Sequence, residues 1–347
     1  MSDKRIIWID IAKSLAIILV VLGHVWRGLN EAGALEEGLF VPFDHALYYF
    51  HMPLFLMISG FLFANGYKKE WPVFLKRQAV FIIWPCILWS IIMVSLKVVM
   101  SSSVNNAEGF ESLLTILYKP VSIFWFLYVL FLSQCLVKII YSKIPSSGLL
   151  ALLGVSLFLI HFYADFIGLN LAAIPALNLT AQFSVYFIAG FILAQLLTMA
   201  RFKELPFINL EPNIKNATLA IGIFATMMAL LLSYGVGLNS FSAPLIGIVM
   251  SYCVIVMCSY MGSLLNKASP NYMETIYLVS MSTMAIYVSH VIFTAAVRII
   301  LFKLGIEHLG AHVFIGTAVG FAAPIVMYVM ASKLKLTTLL GLGLVKK

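Results

Sequence analysis

An aspartate, a lysine and a histidine interrupt the first long apolar stretch of the chain, which runs from Ile6 to Trp26. Asp10 and Lys13 would each cost roughly 2.5 to 3.5 kcal/mol at the centre of a membrane helix. An ionisable group inside a membrane is by default a candidate for a functional site. The stretch therefore predicts a first membrane helix whose polar face is turned toward protein or water.

The three polar residues of this stretch share one helix face. At 100° per residue, Asp10, Lys13 and His24 fall within an arc of about 60°. Asp10 and His24 then lie about 21 Å apart along the axis and cannot touch unless the helix breaks. We expect a charged pair near one membrane surface, a histidine toward the other, and a passage open to the cytosol along the face that joins them.

The composition assigns the rest of the chain to the membrane as well. The 347 residues are 62% hydrophobic and only 10% charged, whereas soluble domains carry about 25% charged residues. Apolar stretches of about 20 residues predict ten membrane helices, so the fold class is an all-α, polytopic integral membrane protein. The predicted spans lie near 6–27, 45–66, 79–100, 121–141, 148–168, 179–200, 217–236, 241–262, 275–302 and 311–332.

The basic residues predict the orientation of these spans. An even number of spans leaves both termini on one side, and most of the 22 Lys and Arg residues lie at the ends and loops of that side. By the positive-inside rule, both termini are cytoplasmic. The net charge of +8 thus reflects topology and a lipid bilayer partner, and no nucleic acid is expected. A cleaved signal peptide is the alternative for the first span, but its length and charges favour an uncleaved helix.

No loop is long enough to fold as a soluble domain, since the longest polar stretches are 28–44, 101–120 and 201–216. We expect a single membrane domain over 1–347, with its spans between about 6 and 335 and no fused soluble domain. The four cysteines lie in apolar spans without metal-ligand spacing, so no metal is expected.

Two further groups of residues are candidates for chemistry. His51 lies in the second span at a depth similar to that of His24, and Pro53 is expected to kink this helix and free backbone groups near His51. A basic cluster on the cytoplasmic side can bind phosphate groups or anionic lipid headgroups. It consists of Lys68, Lys69, Lys76 and Arg77.

Five short motifs give the chain a resemblance to the acyltransferase-3 family over essentially its whole length. In order they are Trp8-Ile-Asp10-Ile-Ala-Lys13, Lys13-x10-His24, His51-Met-Pro-Leu-Phe55 with Ser59-Gly60-Phe61, Trp125-Phe-Leu127, and Ser282-x3-Ile286-Tyr287-x2-His290. The resemblance implies a bacterial inner-membrane O-acyltransferase, similar to fucose 4-O-acetylases. Such an enzyme moves acetyl from acetyl-CoA to a hydroxyl of a surface polysaccharide or its lipid-linked sugar precursor.

The resemblance also implies roles for individual residues. His24 matches the family's catalytic histidine, and Lys13 matches the basic residue eleven positions before it. Lys76 and Arg77 fall near a family Arg-x2-Arg segment, although Val80 stands where a second arginine is expected. We expect Lys13, Lys76 and Arg77 to bind the acyl-CoA. His24 is then the general base, a role worth roughly 10²- to 10⁴-fold in rate, or the carrier of the acetyl group.

Other polar residues complete the predicted site. Asp10, which can pair with Lys13, and His51 are the further catalytic candidates. Tyr287, His290 and Arg298 are candidates for lining the site. Each also has a structural alternative, because membrane histidines often hydrogen-bond neighbouring helices and an arginine can extend to the membrane surface.

Two other functions fit the same sequence. A secondary transporter or exporter of a glycan or small anion would also turn Asp10, Lys13 and His24 toward a cavity. A membrane acyltransferase of the other large histidine-dependent class would instead have its catalytic histidine in the second half of the chain, as at His290. Comparing the activities of His24→Ala and His290→Ala separates the two enzyme classes.

Overall fold

The computed structural model describes residues 6–100, 109–116, 118–199, 210–234, 240–268 and 270–343. The described residues form helices and no strands, which confirms the all-α class. The termini that the charge pattern assigns to the cytoplasm, residues 1–5 and 344–347, lie outside these ranges, as do residues 200–209 and 235–239 at the predicted ends of two spans.

The α-helices are numbered in chain order, and three short 3₁₀ turns join some of them. They are α1 Ile7–Glu31, α2 Glu37–Tyr48, α3 His51–Phe63, α4 Trp71–Gln78, α5 Trp84–Val99, α6 Trp125–Lys143, α7 Ser147–Phe162, α8 Pro175–Thr198, α9 Ile214–Tyr234, α10 Ala243–Ala268, α11 Pro270–Met281, α12 Thr283–Lys303 and α13 Leu309–Lys333. A π-helical turn, Ala79–Ile83, joins α4 to α5.

Nine helical segments of the described residues are long and apolar enough to cross a membrane. The remaining predicted span, 148–168, forms α7, which has only 16 residues. The first turns of α6 and α8 lie at the same end of the bundle, because the Tyr128 hydroxyl donates to the Ile116 carbonyl and the Ala176 N–H donates to the Tyr118 carbonyl at 3.0 Å. The intervening α7 therefore returns the chain across the bundle, as the prediction of ten spans requires.

The second predicted span is divided in two. Helices α2 and α3 are separated at Tyr49 and Phe50, four residues before Pro53, which has no N–H to donate to the Tyr49 carbonyl. The predicted kink is thereby confirmed. The span also begins at Glu37 rather than near residue 45, which brings Asp44 into a helix.

The ninth predicted span, 275–302, is also divided, and Ser282 separates α11 from α12. Its neighbour α1 lies centrally in the bundle and packs against α3, α10, α11, α12 and α13. The interruption at Ser282 therefore faces the helix that carries Asp10, Lys13 and His24.

Helix α3 is held against α8 by close backbone contact. A Cβ atom on Gly60 would overlap the carbonyl oxygen of Phe187, and one on Gly190 would overlap that of Met57. Small residues at such contacts let membrane helices approach closely. This packing fixes the helix that begins at His51.

Candidate active site

The polar face of α1 has two ends, and we call the one at Asp10 and Lys13 the inner end and the one at His24 the outer end. The inner end is a hydrogen-bonded cluster. The Ser280 hydroxyl donates to Asp10 Oδ1 at 2.5 Å, and Lys13 Nζ donates to the Ser280 carbonyl at 3.0 Å. The Ser14 hydroxyl donates to the Asp10 carbonyl at 2.8 Å. The predicted charged pair thus joins α1 to the last turn of α11, beside the interruption at Ser282.

Apolar packing closes the same face between its two polar positions. Ile17 lies midway on the face and has no exposed surface, and Val20 and Val21 beside it are also buried. The prediction of an open passage from the cytosol along this face is therefore wrong for this structure. The physical reason is that these branched side chains fill the space between α1 and its neighbours.

The outer end of the face opens into a cavity of about 440 Å³. His24 lines it together with parts of α5, α12 and the beginning of α6. At the start of α6, Ser122, Ile123 and Trp125 form part of the wall, and Ser122 has a left-handed backbone with φ 49°. Backbone strain of this kind is often concentrated at ligand sites.

The structure brings His290, a predicted lining residue, against His24. The two ring centroids lie 5.0 Å apart with an interplanar angle of 55°. His290 Nδ1 lies 2.8 Å from the Ile286 carbonyl and 2.9 Å from the Tyr287 carbonyl, so it must carry the proton. His290 Nε2 is then an acceptor, and it is buried without a hydrogen-bond partner among the described residues.

Tyr287, another predicted lining residue, anchors the wall of the cavity. Its hydroxyl donates to the carbonyl of Ile123, and its side chain is buried. Since Ile123 itself lines the cavity, Tyr287 holds the start of α6 beside His24. Arg298, the third predicted lining residue, also borders the cavity.

His51 adjoins this site beside Tyr48. The His51 and Tyr48 ring centroids are 4.5 Å apart, and Tyr48 lies 6.4 Å from His24. His51 Nδ1 donates to the Leu47 carbonyl at 2.6 Å. His51 Nε2 and the Tyr48 hydroxyl are buried without a hydrogen-bond partner in the described part of the chain. His24 and His51 therefore belong to one polar cluster, with the phenol between them.

An arginine–aspartate pair that the sequence analysis missed holds Tyr48 in place. Arg27 Nε and Nη2 bind the two Asp44 carboxylate oxygens at 2.6 and 2.8 Å. The Arg27 guanidinium carbon lies 3.3 Å from the centroid of the Tyr48 ring. The spacing of Asp44 and Tyr48, four residues apart on one helix, was the available signal. The sequence alone did not reveal this spacing, because the predicted second span began after Asp44.

The predicted phosphate ligands lie far from His24. Lys76 and Arg77 are exposed in the last turn of α4. Met93, which borders the His24 cavity, follows Lys76 by 17 residues, or about 25 Å of helix. Asp10 is similarly about 21 Å from His24, because α1 is continuous from Ile7 to Glu31. The polar residues therefore form one group at His24 and two groups at the other end of the helices. These two groups are Asp10 with Lys13, and Lys76 with Arg77.

Comparison with known proteins identifies one matching family and relatives of parts of the chain. The model of a family described as an acyltransferase domain matches residues 6–329. A nodulation protein NolL from Mesorhizobium japonicum is 26% identical over 140 residues, which cover 40% of this chain and 37% of that protein. A nodulation protein NolL from Sinorhizobium fredii is 28% identical over 212 residues, covering 59% and 54%.

The aligned part of this chain thus spans about half or less of the length of these two curated relatives. No solved structure matches the chain.

Proposed function

Because the chain belongs to the acyltransferase-3 family of membrane acyltransferases, we propose that it transfers an acetyl group from acetyl-CoA to a sugar hydroxyl. The proposed acceptor is a surface polysaccharide or its lipid-linked precursor, and the proposed location is the inner membrane of a bacterium. The relatives named above are bacterial nodulation proteins.

The observation that carries the proposal is the pair of imidazoles at the outer cavity. A catalytic base is commonly oriented by a second group that binds its other ring nitrogen. His290 Nε2 is a buried acceptor beside the His24 ring. When His24 donates one N–H to His290, its other nitrogen presents a lone pair to the cavity. His290 is then a positioning residue and His24 the catalytic residue.

The proposed reaction is a direct acyl transfer. The acceptor hydroxyl lies in the cavity, His24 removes its proton, and the oxygen attacks the thioester carbonyl carbon. The tetrahedral intermediate collapses with loss of the coenzyme A thiolate, and the proton on His24 passes to that sulfur. The products are the O-acetyl sugar and free coenzyme A. General-base assistance of this kind contributes roughly 10²- to 10⁴-fold in rate.

The donor requires a route past the apolar layer of α1. In the proposal, Lys76 and Arg77 bind the phosphates of acetyl-CoA, Lys13 assists them, and the thioester arm reaches His24 when the packing at Ile17 opens. Asp10 keeps the inner end of α1 attached to α11 and takes no part in the proton transfer. This division follows from the distances along α1 and α4.

Two neighbouring residues of α1 provide a test of the donor route. Ile17 is fully buried on the closed face, whereas Ile18 is 38% exposed. Ile17→Phe adds bulk where the thioester arm is proposed to pass, and it is expected to lower kcat/KM for acetyl-CoA about tenfold, which corresponds to a barrier about 1.4 kcal/mol higher. The matched control Ile18→Phe should change it less than twofold. Equal kcat/KM values for both variants would contradict the proposed route.

The function itself is tested with purified full-length protein in detergent. The measurement is release of coenzyme A from labelled acetyl-CoA, with a surface-glycan extract or a lipid-linked sugar as acceptor. Because detergent leaves no compartments, a transporter would show no turnover of the thioester. Transfer of label to the glycan supports the proposal, and binding of the glycan without thioester turnover would favour the transporter.

A further inference from the structure

The chain after α13, residues 336–343, packs against the membrane bundle, and we call this segment the strap. The Trp84 indole N–H donates to the Leu339 carbonyl at 2.8 Å, and the Trp89 indole N–H donates to the Leu340 carbonyl at 2.9 Å. Both tryptophans belong to α5. Two side chains of α5 therefore hold the strap by its backbone.

The strap touches both α5 and α12. A Cβ atom on Gly341 would lie 2.9 Å from Pro85 Cα of α5, and one on Gly343 would lie 3.8 Å from Met284 Cβ of α12. Between these glycines, Leu342 has no exposed surface. The strap thus bridges the two helices and buries an apolar side chain there.

The bridged faces of α5 and α12 are the ones that line the His24 cavity further out. Pro85 precedes the lining residue Leu96 by 11 residues, or about three helical turns, and Met284 precedes the lining residue Val291 by seven, or about two turns. Residues at these spacings share a helix face. The strap therefore lies on the inner side of the cavity, between the two helices that wall it.

The strap lies at the same depth as the apolar layer of α1. Ile17 is about 10 Å inward of His24 along α1, and Met284 is about 9 Å inward of His290 along α12. The rings of His24 and His290 adjoin each other, so both distances start from one level. Because the strap is not part of a membrane helix, it can leave this layer without unfolding one.

The strap carries local costs that favour its release. Lys335, immediately before it, has a left-handed backbone with φ 58°, which is strained for a residue with a side chain. The Thr337 hydroxyl is buried and has no hydrogen-bond partner in the part of the chain that the structure describes, which also costs free energy. Both costs disappear when the strap moves into water.

The strap also lies between the proposed phosphate ligands and the cavity. The helical segment that carries both is continuous over Trp71–Val99. Arg77 precedes Trp84 by about 10 Å of helix, and Trp89 precedes Met93, which borders the cavity, by about 6 Å. An arm that runs along α5 from Arg77 to the cavity must therefore pass the two tryptophans.

We propose that the seat of the strap on α5 and α12 is the binding site for the pantetheine arm of the acyl-CoA donor. The donor displaces the strap, and its thioester then reaches His24 past Ile17. The inference rests on the proposed function, since it takes acetyl-CoA as the donor and His24 as the base. The strap is a built-in competitor of the donor for this seat.

The chemistry of the seat fits such an arm, which is a flexible chain of methylene groups with two amides. A buried indole N–H usually has a hydrogen-bond partner. When the strap leaves, Trp84 and Trp89 lose the carbonyls of Leu339 and Leu340, and the amide carbonyls of the arm replace them. The apolar surface that Leu342 covers receives the methylene groups.

Met284 and Gly343 provide a reversible lock for the strap. The Met284 Cβ and a Cβ built on Gly343 lie 3.8 Å apart, which is the separation that a disulfide requires. Met284→Cys combined with Gly343→Cys in the full-length protein should therefore form a disulfide on oxidation. Mass spectrometry of the linked peptides measures the cross-linked fraction and separates it from the four native cysteines.

The rate of cross-linking reports whether the donor displaces the strap, and no turnover is needed. Desulfo-coenzyme A has the complete arm without the thiol, and at saturation it should slow cross-linking about threefold or more. Adenosine 3′,5′-bisphosphate has phosphates of the nucleotide without the arm and should not slow it. An unchanged rate with desulfo-coenzyme A, or equal slowing by both compounds, overturns the proposal.

The lock should also control the reaction. In the oxidised double variant, kcat/KM for acetyl-CoA is expected to be lowered about tenfold or more, because the arm cannot enter a seat that is covalently occupied. Reduction of the disulfide should restore it. Met284→Cys alone and Gly343→Cys alone, treated with the same oxidant, are the controls. Complete cross-linking with unchanged kcat/KM overturns the proposal.

Two glycines provide a second test that needs no cross-link. Gly341, with φ 65°, lies against Pro85, whereas a Cβ atom on Gly305, with φ 71°, would meet no atom of the described residues within 4 Å. Alanine strains either backbone, but only Gly341→Ala also pushes the strap from α5. Gly341→Ala should lower the Kd for desulfo-coenzyme A about threefold or more, and Gly305→Ala should not. A Kd that Gly341→Ala leaves unchanged or raises contradicts the proposal.

The two readouts of the lock separate this inference from the proposed reaction. If desulfo-coenzyme A slows cross-linking but labelled acetyl is never transferred, the proposed reaction fails and the seat stands. If transfer proceeds at full rate in the cross-linked protein, the seat fails and the reaction stands. We expect slower cross-linking with desulfo-coenzyme A and a reversible loss of transfer in the same samples.

Discussion

The two polar positions of α1 share one helix face but differ in their surroundings. At the inner end, Asp10 and Lys13 are hydrogen-bonded to Ser280 of α11. At the outer end, His24 lines a cavity of about 440 Å³ and adjoins His290, whose Nε2 has no hydrogen-bond partner in the described ranges. The inner position joins two helices, and the outer position presents polar groups to a cavity.

The comparison shows how a buried polar group can be assigned a role. A buried donor or acceptor without a partner costs about 1 to 3 kcal/mol, so the folded protein gains nothing from it in the absence of a ligand. Three such atoms occur close together, on Tyr48, His51 and His290. At the inner cluster, by contrast, hydrogen bonds across the helix contact contribute stability. Variants at the outer end should therefore change the rate of transfer, and variants at the inner end should change the free energy of unfolding.

Removal of the proposed base should have the largest effect. His24→Ala is expected to lower kcat for acetyl transfer by about 10²- to 10⁴-fold, with an unchanged yield of monodisperse protein. The measurement is initial rate per amount of folded protein with labelled acetyl-CoA. Transfer at a rate near that of the original protein would contradict this assignment, because the outer position would then have no chemical role.

Removal of the positioning imidazole should have the next largest effect. His290→Leu leaves a side chain of similar size without an acceptor and should lower kcat about 10- to 100-fold, the scale found for groups that orient the histidine ligands of metals. The KM for acetyl-CoA should change less than twofold, and His290→Asn, which retains an acceptor oxygen, should restore part of kcat. A purely structural role predicts instead a lower yield of folded protein whose remaining molecules have normal kcat.

Neutralising the proposed phosphate ligands should have a moderate effect on donor affinity. Lys76→Gln combined with Arg77→Gln is expected to raise the KM for acetyl-CoA about three- to tenfold, because exposed ion pairs contribute roughly 0.2 to 1 kcal/mol each. The increase should shrink at high ionic strength. A matched pair of changes at Lys333 and Lys335 removes two inner positive charges elsewhere. The same increase in KM there would show that only general surface charge matters.

Loss of the inner carboxylate should have the smallest effect on transfer. Asp10→Ala removes the acceptor of the Ser280 hydroxyl and is expected to lower the free energy of unfolding by about 1.5 to 3 kcal/mol. The kcat of the folded fraction should stay within twofold. Thermal unfolding in detergent and transfer rate are measured on the same samples. Normal stability with abolished transfer would reverse the roles assigned to the two ends.

The class of fold and the central helix could be predicted from the sequence because they depend on apolar length and on charges within an apolar stretch. The contact between His24 and His290 could not be predicted in the same way. Nothing in the spacing of residues 266 positions apart says which faces of α1 and α12 meet. The motif that contains His290 marked the residue, but the packing of α12 on α1 determines its partner.

Two local features limited the prediction of the site. Asp44 was placed in a loop because hydropathy alone put the second span near residue 45, whereas the charge of Asp44 is neutralised by Arg27 of the neighbouring helix. Ser122 and Ile123 gave no signal at all, since their place in the cavity wall depends on a bond from Tyr287. Pairing across helices, which no single stretch encodes, decides both cases.

The most direct test uses bromoacetyl-CoA, an analogue of the donor with an electrophilic carbon at the position of the acetyl methyl group. If the acyl end of the donor reaches the outer cavity, an imidazole nitrogen of His24 displaces bromide, and the adduct appears on the peptide that contains His24. Excess acetyl-CoA should prevent this labelling, and Asp10→Ala should not. Labelling confined to the inner end, at Lys13, with His24 unmodified, would contradict the central claim that acyl transfer takes place at the outer position of α1.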